Sequence, residues 1–267
     1  MSQATIEAHY RPNWNLSQAM GFTGYNCGFT EERGSRSFAE HQQALVWRLL
    51  GDVAIGRSDT VLDIGCGIGG PTGWLFERFH PMQIIGLEYC RSSVVAAEGR
   101  WAGVSERPWF LQGDAHALPA ESGTVDVIFN LESALHYVNK PVFLSECQRV
   151  LRAGGRLCIG DITAPNKLLF SPLTLLNSWP SQFNSNIRLW SADDYVTGFA
   201  KAGLRLVRHE NVARQVADSL GDGMVEIRHR GWAANKGFRA RIMYLVILEK
   251  LFRGGQLGYD LFELVRD

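Results

Sequence analysis

The apolar run Thr60-Val61-Leu62-Asp63-Ile64 breaks into Gly65-Cys66-Gly67-Ile68-Gly69-Gly70-Pro71 and then passes into Thr72-Gly73-Trp74-Leu75-Phe76-Glu77-Arg78-Phe79. The first part predicts a strand and the last a helix, so the junction opens a βα unit. Glycines at such a junction let a ligand approach backbone that a β-carbon would shield. The helix start adds N–H groups with no partner inside the helix. The segment therefore predicts a site for a nucleotide-like cofactor.

Two cofactors fit that description. Gly65, Gly67 and Gly70 match the dinucleotide pattern G-x-G-x-x-G, and Glu88 follows at about the 20-residue spacing that pattern asks for. On that match alone, an NAD oxidoreductase stays open. Asp63, just ahead of the first glycine, tilts the choice. An anion there opposes a pyrophosphate but suits the ammonium group of S-adenosylmethionine, which carries no phosphate.

Composition narrows the classes further. At 267 residues, 46% of them hydrophobic, the chain is long enough for one sizeable α/β domain with an added cap. Lys plus Arg equals Asp plus Glu at 27 each, so no net field favours nucleic acid or an anionic membrane. The N-terminus lacks a signal-peptide pattern, and no apolar run reaches membrane-spanning length. Cys27, Cys66, Cys90, Cys147 and Cys158 show no C-x-x-C spacing, which predicts free thiols in a cytoplasmic protein. No His/Asp/Glu set has ligand spacing, so no metal is expected.

After the glycine turn, strand and helix signals alternate. Strands are predicted over 82–88, 109–114, 124–130 and 156–161, and helices over 92–103 and 141–151, the second closed by Gly154-Gly155. Such alternation predicts a parallel sheet covered on both faces, a doubly wound Rossmann-like architecture. A helix capped at Ser191, a strand over 204–212, a helix over 240–252 and a strand over 259–265 follow. The first 50 residues and 162–190 are irregular and aromatic, which predicts an N-terminal cap over the active site and a lid inserted in the domain spanning 51–267.

Five segments taken together carry a resemblance: Asp63-Ile64-Gly65-Cys66-Gly67-Ile68-Gly69, Glu88, Gly113-Asp114-Ala115, Asn130-Leu131-Glu132, and Arg149-Val150-Leu151-Arg152-Ala153-Gly154-Gly155. In these the chain resembles class I S-adenosylmethionine-dependent methyltransferases of the sterol, tocopherol and natural-product type, closely over about residues 55–165. The resemblance implies a seven-stranded, mostly parallel sheet and S-adenosyl-L-methionine as cofactor, leaving as S-adenosyl-L-homocysteine. It implies that Gly65, Gly67 and Gly69 lie along the methionine portion and that Glu88 accepts from the ribose hydroxyls. Asp114 would accept from the adenine amine beside Gly113 and Ala115, and the Asn130 carbonyl would meet the amino end. Tyr25, Tyr89 and Leu131 complete the expected cofactor shell.

The segment Leu131-Glu132-Ser133-Ala134-Leu135-His136-Tyr137 follows the fourth strand, beside the expected methyl position. His136 is the expected general base, because imidazole titrates near neutrality. Asp161, after strand five, would orient His136 or the acceptor hydroxyl, and Glu132 would stabilise a carbocation if the acceptor were an alkene. Trp14, Phe29, Tyr137, Trp179, Phe183 and Trp190 are the expected walls of an apolar acceptor pocket. The expected reaction is methylation of a small apolar or aromatic molecule, at oxygen first, then carbon, then nitrogen. A methyltransferase-fold cyclase and an NAD oxidoreductase are the more distant alternatives, and a homodimer is compatible with all of them.

Overall fold

The computed structural model describes residues 24–165, 187–231 and 236–267. Trp14, Trp179 and Phe183 lie outside them. One sheet organises the molecule: β1 (Thr60–Ile64), β2 (Gln83–Glu88), β3 (Trp109–Gln112), β4 (Val125–Leu131), β5 (Leu151–Thr163), β6 (Leu204–Asn211) and β7 (Gly258–Arg266), in spatial order 3-2-1-4-5-7-6. β7 is inserted between β5 and β6 and runs antiparallel to both, while the other strands are mutually parallel. All ligand-type residues read from strand ends therefore converge on one edge of the sheet, where open α/β sheets bind their ligands.

Helices α1 (Phe38–Leu50), α2 (Gly70–Phe79), α3 (Arg91–Arg100), α4 (Lys140–Val150), α5 (Ala192–Lys201), α6 (Ala213–His229) and α7 (Lys236–Arg253) cover the sheet. α1, α6 and α7 share one core with Val61, Val127, Phe129, Cys158 and Leu261 of the strands, and Leu75 of α2 joins it. α4 and α5 share the opposite core with Leu62, Ile128, Leu157, Ile159 and Phe262. The strands that carry both sets are apolar on both faces, as buried strands must be. α3 packs at the β3 side through Val94 and Ala97 against Phe110.

Several elements differ from the sequence expectation. The helix over 141–151 starts at Lys140 and ends at Val150, and the chain turns directly into β5. Gly154 and Gly155 do not close that helix. They lie in β5, where the pairing slips between Val125↔Leu151 and Val127↔Arg156 and Gly154 adopts φ +73°. Helix α6 was not foreseen, and α7 starts at Lys236, ahead of the expected 240. Within the first 50 residues, α1 is a core helix with a Ser37–Glu40 capping box, and its Leu45, Val46 and Leu49 are fully buried.

All five cysteines are buried, and none is in a disulfide. Among the described residues no helix is long and apolar enough to cross a membrane.

Since Leu49 has no exposed surface and faces the larger core, Leu49→Ala should lower the unfolding free energy by about 2–5 kcal/mol. Denaturant titration checks this, and a change near zero would mean that α1 is not integral to the core.

Candidate active site

The glycine turn is built by its neighbours. Gly65 and Cys66 both donate to the Leu87 carbonyl at the end of β2, at 2.7 and 3.2 Å, and Gly69 donates back to the Cys66 carbonyl. Gly65, Gly67 and Gly69 have φ of +74°, +56° and +77°, the left-handed region that glycine enters without strain. A β-carbon on Gly65 would lie 1.8 Å from Ser133 Oγ, so the loop after β4 occupies its place. A β-carbon on Gly67 would meet nothing within 4 Å. That open cradle is where a ligand can lie on bare backbone.

Carboxylates surround the turn. Asp63 is buried under the start of α2 and its Oδ2 accepts the Thr72 hydroxyl at 2.6 Å. Its side chain braces the turn from beneath. Glu88 Oε2 accepts from the Gly67 N–H at 3.0 Å and Oε1 from the Cys90 N–H at 2.9 Å. A carboxylate has about four acceptor sites, so one that holds backbone N–H groups can still take ligand hydroxyls. Burial pushes Glu88 above the usual carboxylate range. Tyr25 packs with Ile68 and Cys90 at the rim of the turn, and Tyr89 is largely exposed beside it.

The residues expected on the adenine side sit on a clamped loop. Gly113 donates to the Glu88 carbonyl, Ala115 is buried, and Asp114 is half-exposed. Arg149 of α4 donates to the Leu118 and Ala120 carbonyls, while Glu146 accepts the Leu118 N–H. The arginine of the Arg-Val-Leu segment thus holds the loop that presents Asp114.

At the end of β4, Asn130 Nδ2 donates to the Ile64 carbonyl at 2.8 Å and to the Tyr137 hydroxyl at 3.1 Å. Its Oδ1 is buried without a partner, an acceptor awaiting a donor. Leu131 is buried next to it. These features, with the Gly67 cradle and the spare lone pairs of Glu88, fit a ligand carrying an amino group and a diol.

The loop after β4 turns through a short 3₁₀ helix, Ala134–His136, in which the His136 N–H donates to the Ser133 carbonyl. The Arg188 N–H donates to the Leu135 carbonyl at 2.7 Å, and the Ala164 N–H to the Trp190 carbonyl at 3.0 Å. The chain leaving β5 is thereby fastened where it returns, next to His136. Glu132 adopts φ +49°. Its carboxylate accepts the Cys27 N–H and the Tyr259 hydroxyl, both at 2.7 Å.

Several residues expected at the acceptor are placed otherwise. Asp161 is fully buried, and the contact of its Oδ2 is with the Tyr195 hydroxyl at 2.5 Å, not with His136. Burial pushes it up to about 7. Phe29 belongs to the core, with the Arg48 guanidinium 5.7 Å over its ring. Tyr137 turns its hydroxyl inward to Ser133 Oγ at 2.7 Å. Trp190 stacks edge-on against Tyr195 and borders an outward cleft with Pro141, Asp194 and Lys201. These rings are large enough that the two cores capture them.

Two predictions follow from the turn. Gly65→Ala should cost about 2–5 kcal/mol of stability, whereas Gly67→Ala should cost only about 1–2 kcal/mol and fold normally. Gly67→Ala should nevertheless weaken S-adenosylhomocysteine binding at least about tenfold, because the new methyl fills the cradle. Thermal unfolding with and without ligand measures both, and equal stability losses would show that the contacts are misassigned.

Asp63 supplies a pH signature. Burial pushes it from 3.8 up to about 7. Between those values the folded chain keeps a proton that the unfolded chain has released, so its contribution makes stability fall as pH rises from about 4 to 7. In ligand-free protein, the stability advantage of Asp63→Asn over the parent should grow across that window and level off above it. Unfolding at stepped pH reads the difference; a flat difference would mean Asp63 is ionised throughout.

Residues 62–159 match the family described as a methyltransferase domain. The chain is 25% identical over 210 residues to a phthiotriol/phenolphthiotriol dimycocerosates methyltransferase of Mycobacterium leprae, which covers 78% of this chain and 69% of that one. It is 36% identical over 131 residues to the erythromycin 3''-O-methyltransferase of Saccharopolyspora erythraea, covering 48% of this chain and 43% of that one. The chain thus spans less than half the length of the second relative. The solved structure of a cyclopropane synthase of Mycobacterium tuberculosis superposes with a TM-score of 0.82 at 18% identity, over 99% and 98% of the two chains, a similarity of fold. With its glycine turn, strand-end carboxylates and inserted antiparallel strand, the chain is similar to S-adenosylmethionine-dependent methyltransferases, and the methyltransferase-domain match spans residues 62–159.

Proposed function

We propose that the protein methylates a hydroxyl group of a small apolar or aromatic acceptor, with His136 as general base. The observation that carries this reading is the position of the 3₁₀ turn. Ser133 touches Gly65 of the cofactor turn, and three residues later His136 stands at the same edge of the sheet, beside the fastened segment at Arg188. A relative named as an O-methyltransferase supports oxygen as the acceptor atom.

When bound, S-adenosylmethionine supplies a methyl carbon made electrophilic by its sulfonium. The chain's own contribution is placement and proton removal. Gly65, Gly67, Gly69, Glu88 and Asp114 hold the donor, and Asn130 Oδ1 offers its acceptor to the amino end. His136 takes the proton from the acceptor hydroxyl as its oxygen gains the methyl group, so that no free alkoxide has to form first. Holding the two reactants in line supplies much of the remaining acceleration. Asp161 supports the acceptor side through Tyr195 and α5, without meeting the acceptor itself.

A second reading has its own observation. Glu132 keeps a carboxylate at the same edge, aimed by two strong donors and a strained backbone, and that negative charge suits a carbocation formed on methylating an alkene.

His136→Gln should lower kcat by about 100- to 10,000-fold while leaving S-adenosylhomocysteine affinity nearly unchanged. Turnover with a panel of phenols, macrolide-like alcohols and isoprenoids, read by mass spectrometry, makes the test. Retained turnover in His136→Gln together with loss in Glu132→Gln would replace the oxygen reading with carbon methylation.

A further inference from the structure

His116 is a residue that the cofactor pattern does not assign, yet its environment is specific. It follows Asp114 by two positions, and its own N–H donates to Asp114 Oδ1 at 2.9 Å, closing an Asx turn. Its ring Nδ1 lies 2.6 Å from the same oxygen. Its Nε2 lies 3.3 Å from the backbone N of Asn139, the N-cap of α4. A backbone N–H can only donate, so Nε2 must accept, and the ring proton resides on Nδ1. The tautomer is therefore fixed by the structure: Nδ1–H donates to Asp114. The ring also lies edge-on to Tyr137 at 5.8 Å, which holds it from the other side.

Both donors land on Asp114 Oδ1, and Asp114 is otherwise half-exposed. A half-exposed aspartate alone would sample several rotamers. With Oδ1 held twice, the carboxylate is fixed, and Oδ2 is the oxygen that His116 leaves unengaged.

We infer that His116 is a positioning residue that sets the base specificity of the cofactor site, by fixing Asp114 so that Oδ2 accepts from the exocyclic amine of adenine and rejects a 6-oxo purine. This rests on the reading that Asp114 faces the adenine amine. The same ring joins that specificity to the loop of the expected base, through Tyr137 and the α4 N-cap. A purine carbonyl in place of the amine would set two acceptors against each other, which is a strong basis for discrimination.

The test compares the dissociation constants of S-adenosylhomocysteine and S-inosylhomocysteine by calorimetry on the full chain. The parent should prefer the adenosyl ligand, and Asp114→Asn should lose that preference. His116→Phe keeps a ring against Tyr137 but has no donor, and should reduce the preference about tenfold through weaker adenosyl binding. His116→Asn places an amide N–H near the lost Nδ1–H and should restore most of it, whereas His116→Gln, which reaches only toward Asn139, should not. If Asp114→Asn loses the preference while His116→Phe retains the parental ratio, the inference is overturned and the adenine reading stands. Equal weakening of both ligands in His116→Phe would make the residue merely structural and also overturn it. If Asp114→Asn keeps the preference, the adenine reading fails and the inference with it.

Discussion

The space above Gly65 is the constraint on which the rest of the site depends. Ser133 Oγ stands where a β-carbon would be, and the Tyr137 hydroxyl and Asn130 amide complete that contact. Through it, the turn that receives the cofactor and the loop that carries His136 become one packed unit. The distance between the glycine turn and the His136 loop is then set by van der Waals contact, which resists displacement far better than a mobile hinge. A methyl transfer that relies on alignment benefits directly from such stiffness.

Around this contact the buried acids do structural work as well as electrostatic work. Asp63 braces α2 through Thr72, Glu88 spends one lone pair of each oxygen on backbone N–H groups, and Glu132 fixes the Cys27 segment to β7 through Tyr259. Wherever these acids ionise they leave a negative field at the sheet edge, and burial holds Asp63 back from that until about pH 7. That field suits a cationic cofactor and disfavours a polyphosphate, which is the physical content of the choice between S-adenosylmethionine and NAD.

Much of this was legible in the sequence because parallel strands are continuous apolar runs and their ends carry the ligand-type residues. Asp63, Glu88, Asp114 and Asn130 all stand at or just past such ends. Helix α6 was hidden for a physical reason: Gly221 and Gly223 dilute its pattern, yet their bare backbone is what lets Arg33 and Phe38 approach within contact distance. The capping box Ser37-x-x-Glu40 was a readable signal for α1, and the Asp-x-His spacing was one for the Asx turn at His116. The burial of Asp161 and the capture of Phe29 by the core depend on contacts between distant segments, so local pattern could not reveal them.

The placement of β7 bears on how the protein is made. This strand follows β6 in the chain but lies between β5 and β6 in the sheet, so those two cannot join until it arrives. Tyr259, which steadies Glu132, is carried on that same strand. During synthesis the emerging chain can therefore assemble its cofactor half from nearby segments, while its acceptor half waits for pairings across long sequence separations. The part of the sheet edge that Tyr259 and Glu132 build together is therefore the last to be completed.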